Sequence, residues 1–93
     1  MSDRFTPMAE LVENAITAHR NTIAVVDLMH VPSDGGPFTV VTLKDANGQE
    51  LGSLDRAGFP TSDAHRLLKR YFTDVRIEDL GLNVRFTVYG PRA

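Results

Sequence analysis

Three histidines, His19, His30 and His65, are the side chains best suited to proton transfer or metal ligation near neutral pH, and they fall in three separate stretches of chain. Only His30 has chemistry-bearing neighbours. It closes an apolar run beside Ser33-Asp34-Gly35-Gly36, with Asp27 three residues before it. A small acid–base site would need both side chains on one face, and three residues along an extended strand put them on opposite faces. The plainer expectation is a helix-end His19, a strand-end His30 and a solvated helix residue at His65. Asp27 interrupts an otherwise apolar strand, so its carboxylate needs a cation such as Arg76 or Arg85, or a position open to water at a sheet edge.

Other routes to catalysis find little support. None of Ser2, Ser33, Ser53 and Ser62 sits in a glycine-serine-glycine elbow, so they read as turn and cap residues. The Ser33-Asp34-Gly35-Gly36 stretch lacks the Gly-Lys-Ser/Thr ending of a phosphate loop. The sequence has no cysteine, which excludes disulfides, thiolate zinc sites and a cysteine nucleophile together. No catalytic residue, metal site or cofactor is assigned on these grounds.

Binding has better candidates. Arg66, Lys69 and Arg70 share one face of a helix at i, i+3 and i+4, and Arg76, Arg85 and Tyr89 alternate along the strands that follow. Brought together, they would make a basic surface with an aromatic ring, able to hold phosphates and stack on a base. The competing expectation is a solvated helix face, since Asp63 and Asp74 flank the row. Phe38 and Phe59 lie in or beside loops rich in glycine and proline, where rigid rings serve as anchors for a protein partner unless they turn inward to close the core.

These residues must be positioned by seven elements. Thr6-Pro7 supplies a cap and a first-turn proline for a helix from Pro7 to about His19, with Met8, Leu11, Val12, Ala15, Ala18 and His19 along one stripe. Thr22 to Val31 predicts a strand with both faces largely buried. Phe38 to Lys44 and Gln49 to Leu54 predict an antiparallel hairpin, tightened by positive φ values at Asn47-Gly48. Thr61 or Ser62 should cap a second helix whose inner side carries Ala64, Leu67, Leu68, Tyr71 and Phe72. Val75 to Ile77 and Val84 to Tyr89 predict a last strand pair with one wet face, joined by a turn at Asp79 to Asn83.

With 93 residues, 42% of them hydrophobic and 24% charged, the chain has room for one core, and residues 1–93 read as a single domain with 1–5 as a flexible N-terminus. The expected class is α+β, a two-layer α-β-β-β-α-β-β arrangement with a mostly antiparallel sheet and two helices. The alternative is a five-stranded OB-like barrel with an extra N-terminal helix. No stretch approaches the length and hydropathy of a membrane span, and no basic, apolar leader opens the sequence, so a cytoplasmic protein with no membrane partner is expected. Residues 1–55 carry three basic and eight acidic side chains and residues 56–93 seven and four, an asymmetry that suggests two electrostatic faces.

The expected function is a small non-enzymatic protein-interaction module, an adaptor or inhibitor of a larger partner, including the kind of inhibitor that mobile elements carry against host defences. The alternative is a single-stranded nucleic-acid-binding protein on an OB-like fold, for which the net charge of −2 is unfavourable. An exposed edge strand could also pair two copies as a homodimer.

Overall fold

A computed structural model describes residues 8–32, 34, 38–57 and 59–92. The Thr6-Pro7 cap and most of the Ser33–Pro37 loop lie outside the described residues. In chain order the elements are α1 (Met8–His19), β1 (Val25–Val31), β2 (Phe38–Lys44), β3 (Glu50–Ala57), α2 (Thr61–Tyr71), β4 (Phe72–Asp79) and β5 (Asn83–Pro91). This is the expected α+β order. The five strands form one antiparallel sheet in the order β3-β2-β1-β5-β4, so the two ends of the sheet are β3 and β4 and it does not close into a barrel. The OB-like alternative falls with that topology.

Alternation along the strands sorts the side chains into two faces. Val26 and Leu28 of β1, Val41 and Leu43 of β2, and Val84, Phe86 and Val88 of β5 are all buried on one face. Against them pack Val12 and Ile16 of α1 and Ala64, Leu67 and Leu68 of α2, so a single apolar layer lies between sheet and helices. The other face carries Val25, Asp27 and Met29 of β1, and no helix covers it among the described residues. Burial on both faces, expected for β1, is therefore corrected to one covered and one open face. Continuous β-branched composition misled because half-buried positions on an uncovered antiparallel face also accept Val.

Three local features depart from the sequence expectation for identifiable reasons. At the β2–β3 hairpin only Gly48 is left-handed, at φ 83°, with no positive φ at Asn47. The connection is a longer loop in which the Gly48 amide donates to Asp45 O (3.0 Å) and the Asp45 carboxylate accepts from the Asn47 and Gln49 amides (both 2.9 Å). Asp45 thus does by side chain what a two-residue turn does by backbone. At the start of α2 the cap position is Pro60, whose ring has no atom to make a side-chain cap bond, while Thr61 is already helical and its hydroxyl lies 3.1 Å from His30 Nε2. At its end Phe72, placed on the helix by its spacing, turns extended (φ −131°, ψ 146°) and begins β4 with no intervening loop.

Candidate interaction surfaces

Asp27 is the centre of the open sheet face. β5 sets Arg85 directly opposite it and β2 sets Lys44 diagonally across, giving contacts of 2.9 Å to Arg85 Nε and 3.0 Å to Lys44 Nζ. Burial would raise the Asp27 carboxyl, but the hydrogen bonds and charges of Arg85 and Lys44 outweigh it and hold it below the ordinary aspartate value. The same hydrogen bond raises the Arg85 guanidinium. A shallow depression of about 280 Å³ beside this trio is walled by Met29, Val40 and Thr42. The carboxylate is thereby occupied as a cross-strand tie between β1, β2 and β5.

His30 points the other way, into the covered side. Its Nδ1 lies 3.2 Å from Thr39 Oγ1 and its Nε2 3.1 Å from Thr61 Oγ1. Thr39, nearly fully buried, also accepts the Phe59 amide at 2.9 Å. Asp27 and His30 therefore do not meet, and His30 works as a bracket joining β1, β2 and the first residue of α2. His65 is not simply solvated: its ring stacks on Phe86 at 5.9 Å between centroids. Among the described residues no three His, Cys, Asp or Glu side chains converge as a metal site.

The residues expected to make one basic surface are divided between the two sides of the molecule. Arg66, Lys69 and Arg70 are exposed on α2, which lies on the covered side. There Arg66 lies 3.5 Å from Asp63, and Arg70 lies 3.6 Å from Glu13 of α1, along a groove of about 550 Å³ between the helices. Glu13 also accepts a hydrogen bond from Tyr71, which raises the Tyr71 hydroxyl through that bond, burial and the carboxylate charge. Arg76, Arg85 and Tyr89 project from the open face, with the Arg76 guanidinium 5.7 Å from the centre of the Tyr89 ring and 3.4 Å from Asp74. The continuous phosphate-binding surface is not assembled, and each of these arginines already lies against a carboxylate.

The two phenylalanines separate. Phe59 is 3% exposed and belongs to the core, its amide drawn inward by Thr39, so it is withdrawn as a partner anchor. Phe38 is half-buried on the open face, across from Val31 of β1.

Of the exposed apolar side chains that stand out most, sequence reasoning named Tyr89 and missed the other four. Met29, Ile77, Leu80, Leu82 and Tyr89 are 47–63% exposed, and three of them, Ile77, Leu80 and Leu82, lie in or near the β4–β5 turn. That turn is held by hydrogen bonds of its own. The Leu80 amide donates to Asn83 O (2.8 Å), the Gly81 amide to the Asp79 carboxylate (3.0 Å) with Gly81 left-handed at φ 92°, and the His30 amide to Leu82 O (2.8 Å). The signal is present as Leu80-Gly81-Leu82, two large apolar residues flanking a turn glycine where polar residues are usual.

Comparison of the chain with protein-family models, with curated proteins and with solved structures gave no match.

Proposed function

We propose that this chain is a small non-enzymatic protein-interaction module, an adaptor or inhibitor that docks on a larger partner through the β4–β5 hairpin end. The observation that carries the reading is the exposure of Ile77, Leu80 and Leu82 on a turn pinned by its own hydrogen bonds. Large apolar side chains exposed along one turn raise the cost of solvation and are kept where a partner covers them. A turn already held in its presenting conformation loses little entropy on docking. The complementary partner offers an apolar pocket with a polar rim, because Asp79 and Glu78 border these side chains. An inhibitor carried by a mobile element against a host defence would use such a surface in this way.

Affinity capture from the native host with wild type and with Leu80→Glu/Leu82→Glu tests this. Both positions are exposed, so the double variant should keep its melting temperature within the shift expected of about 0.5 kcal/mol per site. Loss of the captured partner by roughly tenfold or more supports the reading. Equal capture by both proteins overturns it.

A further inference from the structure

We infer that the outer edge of β4 pairs with the same edge of a second copy of this chain, extending the two sheets into one. The inference rests on the strand edge itself and shares only Ile77 with the hairpin-end docking surface. Among the described residues β4 pairs only with β5, and since the Phe72 amide is taken by Leu68 O of α2, residues 73–79 are left with one unpaired side and neither proline nor glycine. The opposite edge is differently made. β3 carries an extra residue, Leu51, where the register shifts against Leu43/Lys44, followed by Gly52, and a bulge of this kind obstructs further pairing.

Charge on β4 then selects both the partner and the register. On the open face the strand reads Asp74, Arg76, Glu78, alternating in sign, and on the covered side Thr73, Val75, Ile77. Antiparallel pairing about a two-fold axis at Arg76 would set Arg76 against Arg76 and Asp74 against Glu78, opposing like charges throughout. An axis at Val75 sets Asp74 against Arg76 twice, Val75 against Val75, and the exposed Ile77 against Thr73. An axis at Ile77 also opposes unlike charges, Arg76 and Glu78, and sets Ile77 against itself, but it places the partly buried Val75 against the Asp79 carboxylate at both ends. The Val75 register is therefore the one assigned. Opposed unlike charges and apolar pairs stabilise a ladder by about 0.2–1 kcal/mol each, so the strand is complementary to itself in that register. An interface of one strand pair is small, and the dimer is a transient one.

Sedimentation of the whole chain across concentrations from about 1 µM to about 1 mM reads this directly. Wild type should rise toward twice the chain mass. Arg76→Glu and Asp74→Arg should each weaken self-association about tenfold, because each converts two opposed pairs from attraction to repulsion. Mixed together, those two variants should form a heterodimer, since the two carboxylates of the first, at positions 74 and 76, then face the two guanidinium groups of the second. Heterodimer formation also shows that both variants are folded. A wild type that stays monomeric throughout, a dimer indifferent to both substitutions, or variants that fail to associate on mixing would each overturn the inference.

Discussion

Thr39 is a threonine in a strand core, buried among Val41 and Leu43, and its hydroxyl has two partners. Removing it strands the Phe59 amide in an apolar environment and frees one side of His30. An unpaired buried donor costs about 1–3 kcal/mol, so Thr39→Val should lower stability by about 2 kcal/mol despite its equal size, and Thr39→Ser should recover most of that. Chemical denaturation of the three proteins measures it, and a Val variant as stable as wild type would show that the hydroxyl does no structural work. The network is illegible in the sequence, because His30 and Thr61 are 31 residues apart and nothing in either's neighbourhood marks the other. What is legible is the need: Asp27 in an apolar run demands a cation, and Arg85 is one of the two arginines the sequence nominates. Lys44 is not nominated, since its diagonal reach depends on the register of β1 with β2.

At the scale of elements, Asp27 joins three strands, and its lowered pKa makes that joint dependent on pH. A carboxyl depressed on folding contributes stability above its unfolded value of about 3.9 and loses it as pH falls through the lower folded value. Asp27→Asn should cost about 1 kcal/mol at pH 7, allowing for the solvent that reaches the site, and the gap from wild type should narrow as pH falls below about 4. Thermal melts of both proteins over that range decide it, with a gap constant in pH as the contrary result. The elements are readable where pattern and period agree, as in the antiparallel β2–β3 pair and the alternation of β5. Boundaries fail where one residue has a tertiary use. Thr61, fit to cap α2, is its first helical residue and is engaged by His30, and Phe72, spaced for α2, is needed by β4.

For the whole molecule, the decisive fact is that both helices cover one face of an open antiparallel sheet. That arrangement separates the basic row of α2 from Arg76, Arg85 and Tyr89, encloses Phe59, and leaves the β4–β5 end standing clear with its apolar side chains. Composition could not show this, because it counts charges and rings without assigning them to sides. No helix of the described residues is long and apolar enough to cross a membrane, so the exposed leucines are not part of a helical span. A photo-crosslinking amino acid placed in turn at positions 82 and 69, in the native host, tests the docking surface most directly. Adducts to a distinct protein from position 82 and none from position 69 on the α2 face are the expected result. Adducts from 69 with none from 82 would contradict the account and move the interface to the helices.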